Sequence, residues 1–493
     1  MANEKDKMLT IDELTAFCKR KAFVYPSSEI YGGLAGFWDF GPIGAELFNN
    51  LKNDFWKYFV HQKEKVVGIE ASIISHPKTW LASGHLANFV DVAVVCKKCK
   101  HSTKIDKSEI GKVKCEKCSG DYENLGEINL MFKTNIGALN PMEAYLRGET
   151  AQAMFLNFKL ICETTRLQLP FGILQIGKVF RNEIAPRDFL FRSREFTIGE
   201  IEFFIHPEEK KCSLLDKEHL KLKLKLLDME TQEKNKETLQ DTTISEMLNK
   251  KKLDEWHAYW LAEQISWLKN LGLSKKIKIR EHKKSELSHY SSATFDIDFE
   301  FPFGSKEIAG NANRGQYDLT QHIKESKTNL EIFDEKTKKR VIPRVIEPTF
   351  GIERVFLALI CNSYNYDEKR KNIVLKLPAF LAPIKAAILP IVKDEKMIKI
   401  AREIQVNLKK DWNIFYDESG SIGRRYSRQD EIGTPICIVI DEQSLKDDTV
   451  TLRDRDTTEQ IRIKISEISD ILKKIINGES LLELGKIIKT RVK

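Results

Sequence analysis

Apolar and polar positions change their spacing along the chain, and each change predicts an element. From Thr10 to Val60 the pattern predicts helix, turn, helix. Apolar residues recur at helical spacing in LFNNLKNDFWKYFV, and Gly41-Pro42 opens that second helix. Gly68 to Pro77 alternates with period two and ends on proline, which suits an edge strand. Strand-like GKVF and IEFF flank a charged loop between Gly177 and Phe204, so a strand–loop–strand hairpin is expected there. AQAMFLNF reads as a helix start behind Arg147-Gly148-Glu149-Thr150, with Thr150 as its cap. Thr349 is likewise read as the N-cap of an apolar helix opening at Gly351–Arg354. Between Pro207 and Gly272 there is no glycine or proline, and the Lys/Glu/Leu-rich sequence predicts mainly helix. HLKLKLKLL, from His219 to Leu227, alternates with period two and leaves a strand open. Residues 208–252 are read as a peripheral insertion. Beyond Lys376-Leu377-Pro378, strand-like KAAILPIV, TPICIVID and TVTLRDRD alternate with helix-like runs, which predicts a separate α/β domain over 376–493.

Composition narrows the class. A chain of 493 residues exceeds one ordinary core, so two or three domains are expected. A formal charge of +8 permits a nucleic-acid partner without requiring one. The charged N-terminus lacks the apolar region of a secretory signal, and no uninterrupted apolar run approaches ~20 residues, so no membrane partner and a cytoplasmic location are expected. Of nine cysteines, four form two CxxC pairs, Cys96/Cys99 and Cys115/Cys118, with fifteen residues between the pairs. That spacing places four thiolates tetrahedrally around Zn2+ in a small insertion over 93–128, in a structural role because no open position remains.

The hairpin carries the chemistry. Arg181-Asn182-Glu183 is followed by Arg187, Arg192 and Arg194, then by Phe196, Glu200 and Glu202. A charge run alone is equally consistent with a solvated surface. The order of arginines, aromatic and carboxylates between two strands instead fits guanidinium forks on a polyphosphate and an aromatic on a purine. Neither a Walker A sequence nor a GxGxxG is present, so phosphates would be held by side chains and metal. Ser83-Gly84-His85 is read as a plain turn, and a hydrolase triad is not indicated.

Together these motifs resemble the class II aminoacyl-tRNA synthetases, and among them the homodimeric glycyl-tRNA synthetases, from Tyr31 to about Gln460. ETAQ (149–152), PRDFLFRSREF (186–196), NANRGQYDLTQH (311–322) and GSIGRRYSRQDEIGTP (420–435) carry the likeness, with Gly351-Ile352-Glu353-Arg354 as the third class motif. The resemblance implies an α+β catalytic domain over 1–375, an antiparallel sheet flanked by helices, followed by an α/β anticodon-binding domain. It implies a homodimer that joins glycine to the 3′ end of tRNA(Gly) through glycyl-adenylate, using ATP. The catalytic positions are Arg181, Glu183, Glu307 and Arg354. Arg181 would grip the α-phosphate and the glycine carboxylate, Glu183 the adenine end, and Phe196 would stack on adenine beside the glycine site. Arg192 would lie by the bent triphosphate and Arg354 on the γ-phosphate, with Asn182, Phe191, Arg314 and Gly351 at further ATP positions. Glu307 and Ile308 match the family's metal-and-ATP position, which implies Mg2+. Glu149, Glu200 and Glu347 match an acidic cage for the ammonium, with Thr349 beside it. Lys104 stands where the family commonly has a substrate-contacting arginine. Arg424, Arg425, Arg428, Arg453 and Arg455 are candidates for the anticodon face.

Overall fold

Strands with one face of aromatic and branched residues organise the larger part of the chain around a nine-stranded sheet. In this computed structural model the described residues are 9–105, 110–287 and 291–488. The start of the charged N-terminus, on which the expectation about a secretory signal partly rests, and residues 106–109 of the cysteine-bearing insertion lie outside them.

The nine strands are β1 (Val66–Gly68), β2 (Phe171–Phe180), β3 (Glu195–Ile205), β4 (Lys223–Leu227), β5 (Gln240–Thr243), β6 (Ile277–Glu281), β7 (Ala293–Phe301), β8 (Gly304–Gly315) and β9 (Arg344–Gly351). Their order is β5-β4-β6-β7-β8-β9-β3-β2-β1, antiparallel except for β4 with β6 and β2 with β1. The expected hairpin is β2 and β3, in register from Phe171 opposite Phe204 to Phe180 opposite Glu195.

Period two decides what each face of β3 meets. Phe204 packs on Phe155 and Phe158 of the helix Ala151–Thr165. Phe203 packs on Trp256 and Trp260 of the helix Glu255–Asn270, on the opposite face. Each such buried ring is worth about 3–5 kcal/mol against truncation to alanine. Glu200 and Glu202 fall on the Phe204 side by the same alternation. One face of the sheet is thereby closed by tryptophans, and the other is apolar under the helix Ala151–Thr165 and turns polar at Glu200 and Glu202.

The 208–252 segment differs from the helical expectation. The helix Lys217–Lys221, capped by Asp216, is followed by β4, where Leu224 and Leu226 are buried and Lys223 and Lys225 exposed. The alternation overrode the segment's helix-favouring composition, and β4 and β5 extend the central sheet. The strand expected over 68–77 is shorter than its pattern. It reduces to Ile74–Ser75, at the edge of a small sheet with Lys133–Ile136 and Met142–Leu146. Val90–Cys96, Ser102–Ile105 and Tyr122–Asn129 form another three-stranded sheet, on which the cysteine pairs are carried.

A second sheet has the order Ile414–Tyr416, Ala386–Pro390, Ile436–Ile440, Thr449–Asp454, Gln460–Lys464, Lys486–Ile488. Helices Glu395–Leu408 and Ile468–Ile476 bury Ile404, Leu408, Leu472 and Ile475 in a core with Ile388, Ile438 and Leu452. The chain packs as two compact units. One joins Met1–Tyr25, Asp39–Phe55 and Leu359–Lys493; the other joins Pro26–Trp38 and Trp56–Ala358. In the first unit the N-terminal helix Ile11–Arg20 brings Phe17 edge-on to Tyr364, and Asn50 donates to the carbonyls of Leu381 and Ala382. These are long-range contacts that no local pattern announces. Among the described residues no helix is long and apolar enough to cross a membrane.

Candidate active site

The polar face of the sheet gathers the three expected glutamates. Glu347 and Thr349 both lie on β9; Thr349 is opposite Glu200 of β3 on one side and Gly310 of β8 on the other. Thr349 is therefore a strand residue, not the expected N-cap, because pairing on both sides carries β9 on to Gly351 before the helix Ile352–Ser363 begins. The helix at 151 is capped from afar. Glu200 Oε2 accepts from the amides of Thr150 (2.7 Å) and Ala151 (3.0 Å) and from the Thr150 hydroxyl (2.5 Å). Thr150 thus secures the capping carboxylate instead of capping with its own side chain.

Arg314 sits at the centre of this acid cluster. Its guanidinium donates to Glu347 Oε1 at 2.6 Å and forks onto Asp318 at 2.8 and 2.8 Å, with Glu149 Oε1 3.7 Å away. It is buried to 1% exposure and engaged by acids, which differs from its expected place at ATP. Gln152 donates to both Glu149 and Asp318, at 2.9 Å each. Burial raises the Glu149 carboxyl, but His85 and Arg314 outweigh it and hold the group well below the usual carboxylate range. Burial, with Glu200, Glu149 and Asp318 nearby, pushes Glu347 up to about 8 despite Arg314. Burial and Glu149 also raise Glu200. Glu202, two residues along β3, is fully buried, and neither carboxyl oxygen has a partner among the described residues. Burial and Glu347 raise it strongly. Five acids around one guanidinium leave room for another cation.

The arginines form a second, more open region. Arg181, Glu183, Phe191, Arg192, Phe196, Gly351 and Arg354 line one narrow cleft. Arg181 donates to the Gly148 carbonyl (3.1 Å), beside Glu149, and its guanidinium lies over the rings of Phe89 and Phe196. Arg192 is 3.6 Å from Glu183. Arg354 lies over Phe191, 4.5 Å from the ring centre, and donates to Glu307 Oε2 at 3.0 Å. Glu353, next to it, accepts from the Thr197 amide at 2.6 Å and pins the helix start to β3. Phe191, Arg192 and Arg354 also line a cavity of about 680 Å³ with Arg187, Lys278, Arg280, Asp296, Asp298 and Glu307. A register shift between Ile297 and Asp298 sets Glu307 opposite Asp298, whose carboxyl burial and Asp296 push up to about 6. Ile308 is buried in β8, and Asn182 is exposed, its amide donating to the Leu130 carbonyl.

Lys104 is not part of either group of contacts. It pairs with Asp91 at 2.7 Å on the cysteine-bearing sheet. Cys96, Cys99, Cys115 and Cys118 bring their sulfurs within 4.8 Å of one another, a set that suits tetrahedral Zn2+. Against the C-terminal sheet, Arg425 of the helix Ile422–Ile432 is spent on the carbonyls of Pro390, Asp417 and Ile391. Arg453 forks onto Asp430, and Arg455 donates to the carbonyls of Gly433 and Leu377. These three hold the fold together. Arg424 and Arg428 are the exposed members of the expected face. Sequence reasoning named Glu202 with Glu200 as a carboxylate of the hairpin but gave it no role, and it missed Asp318 and His85; for Asp318 the signal was present, as an acid four residues from Arg314.

Residues 385–475 match the family described as Anticodon binding domain. A solved prolyl-tRNA synthetase from Cryptosporidium parvum, complexed with halofuginone and AMPPNP, is similar with a TM-score of 0.58 at 16% identity, over 96% of this chain and 76% of that one. This likeness is one of fold. With the antiparallel sheet and the C-terminal domain, it defines the architecture as that of a class II aminoacyl-tRNA synthetase. The glycine–tRNA ligase of Borrelia hermsii is 41% identical over 472 residues, 94% of this chain and 96% of that protein. That of Geobacillus thermodenitrificans is 42% identical over 509 residues, 97% and 100% respectively. The chain belongs to the glycine–tRNA ligase family.

Proposed function

We propose that the chain activates glycine with ATP and transfers it to the 3′ end of tRNA(Gly). The observation that carries this reading is the surplus of buried carboxylates around Arg314, one of which, Glu149, directly follows Gly148, whose carbonyl anchors Arg181. Glu149, Glu200 and Glu347 receive the ammonium. The Arg181 guanidinium neutralises the α-phosphate as the glycine carboxylate attacks it in line and pyrophosphate departs. Glu183 meets the adenine amino group, and Phe196 supplies an apolar face for the base. Glu200 and Phe196 lie on the same face of β3, four residues apart, or roughly 13 Å along a strand, which suits the length of an aminoacyl-adenylate. Arg192 and Arg354 hold the outer phosphates. Arg314 serves the acid cage in this reading, not ATP. One methylene is worth only ~1–3 kcal/mol in a pocket, so alanine is excluded by space already filled by Thr349 and the paired strands.

Mg2+ fits the carboxylates of Glu307 and Asp298, hard oxygen donors facing the 680 Å³ cavity, and it supplies charge neutralisation to the phosphates. Zn2+ on the four cysteines closes the small insertion. Residues 1–375 carry the aminoacylation chemistry, and 376–493 read the anticodon. Ile74, Ile136 and Met142, exposed on the small three-stranded sheet, support an isologous homodimer contact. The enzyme works in the cytoplasm, whose reducing conditions keep the cysteines out of disulfides and available to bind the metal as thiolates.

Amino-acid-dependent ATP–pyrophosphate exchange with each of the twenty amino acids tests the reading. Exchange with glycine alone is expected. Silence with glycine, or exchange driven by a larger amino acid, would sink it.

A further inference from the structure

A buried polar relay runs into the acid cage from the segment read in the sequence as a plain turn. The short helices Pro77–Ala82 and His85–Asn88 meet at Gly84, whose φ of 81° is the left-handed turn that glycine tolerates best. On either side of it, Ser83 Oγ lies 2.8 Å from His85 Nδ1, and His85 Nε2 lies 3.2 Å from Glu149 Oε2. The other Glu149 oxygen accepts from Gln152, whose own carbonyl oxygen is 2.7 Å from His322 Nε2. The imidazole is clamped edge-on between Trp80 and Phe89, at 5.1 and 5.6 Å between ring centres. Asn129 ties the turn down by donating to the carbonyls of His85 and Leu86. Phe89 in turn lies under the Arg181 guanidinium.

The order serine, imidazole, carboxylate is that of a hydrolase triad, but Ser83 is 1% exposed and closed off from any substrate. The arrangement therefore orients. The Ser83 hydroxyl reaches Nδ1 at 2.8 Å and the Trp80 carbonyl at 3.4 Å, and the Glu149 carboxylate, which only accepts, calls for the ring proton on Nε2. Without that bond, Glu149 keeps only the Gln152 donor on Oε1, and Oε2 can turn toward the Arg314 guanidinium.

We propose that His85, held in place by Ser83 and the flanking rings, is a positioning residue that holds Glu149 in the orientation that receives the amino group of the amino acid. The proposal rests on reading Glu149 as an ammonium-binding carboxylate. It separates the 77–89 segment from mere scaffolding, because the ring contacts one substrate-facing acid directly.

The test compares His85→Ala, His85→Gln, His85→Asn and Glu149→Ala with the unaltered enzyme. It reads the KM of glycine and of ATP in pyrophosphate exchange, together with Tm. Gln places its amide nitrogen near the position of Nε2, whereas Asn reaches only as far as Nδ1. His85→Ala and His85→Asn are expected to raise the glycine KM about tenfold to a hundredfold, while the ATP KM stays within about twofold. His85→Gln is expected to recover to within about threefold of the unaltered enzyme. Equal effects of Gln and Asn, or glycine and ATP KM rising together with a fall in Tm, would overturn the positioning role and leave only packing. If Glu149→Ala leaves the glycine KM unchanged, the ammonium reading itself has failed, whatever the His85 variants do.

Discussion

The acid cage and the arginine cleft share one sheet but are built on opposite terms. In the cage every charge is buried, and Arg314, Gln152, Thr150 and His85 fix the carboxylates in advance. In the cleft the guanidiniums are partly exposed and rest on backbone carbonyls and rings: Arg181 on Gly148 and Phe89, Arg354 on Phe191. A site that must refuse a single methyl group has to be rigid before the substrate arrives. A site that must clasp a long flexible polyphosphate profits from side chains that can close. The cage should accordingly respond to mutation in stability and glycine specificity, the cleft in rate.

The largest effect is expected from Arg314→Leu. Removing the guanidinium leaves Glu347 and Asp318 without their counter-ion, a loss of about 3–5 kcal/mol. Chemical denaturation should show it, and a variant as stable as the parent would mean that the cage is not prepaid by Arg314. Arg354→Ala tests the other side. It should lower pyrophosphate exchange about 10²- to 10³-fold at nearly unchanged Tm. A comparable loss of stability would erase the contrast. Next comes Glu149→Ala, for which the glycine KM should rise about a hundredfold while ATP binding, followed by fluorescence or calorimetry, persists.

Protons sharpen the comparison further. With Glu347 raised to about 8 by burial and its acidic neighbours, the free cage holds protons near neutrality. An entering ammonium favours the ionised carboxylates, so glycine binding should release about one proton, and glycine affinity should rise as pH climbs from 6 toward 8 and then level off. Calorimetry in buffers of differing ionisation enthalpy counts that proton; uptake instead of release contradicts the charge assignment. The smallest effect is expected from Lys104→Ala. Its partner is Asp91, a half-exposed pair, so the glycine KM should move less than about twofold.

What was legible in the sequence was local. The strand–loop–strand pattern of 171–205 and the CxxC spacing depend on neighbours within a few residues, and the cage glutamates were placed by their match to the motifs of the family. What was missed depends on partners brought from far along the chain. Thr150 looked like a cap because it precedes a helix, yet Glu200, fifty residues on, performs that function. Thr349 looked like a cap for the same reason, and two flanking strands kept it extended. Arg314 was expected at ATP because it matches an arginine at that position in the family it resembles, while its nearest anions are the cage's own acids. The lysine–leucine alternation at 223–227 was visible, but its place on the central sheet required knowing where β6 lay.

The most direct measurement is a crystal structure with a non-hydrolysable glycyl-adenylate analogue. The ammonium is expected within hydrogen-bonding distance of Glu149 and Glu200, the phosphate surrogate on Arg181, and the adenine between Phe196 and Arg354. An analogue whose amino group lies outside the Arg314 cluster, or whose nucleotide occupies a cavity that Arg181 and Arg354 do not share, would contradict that expectation.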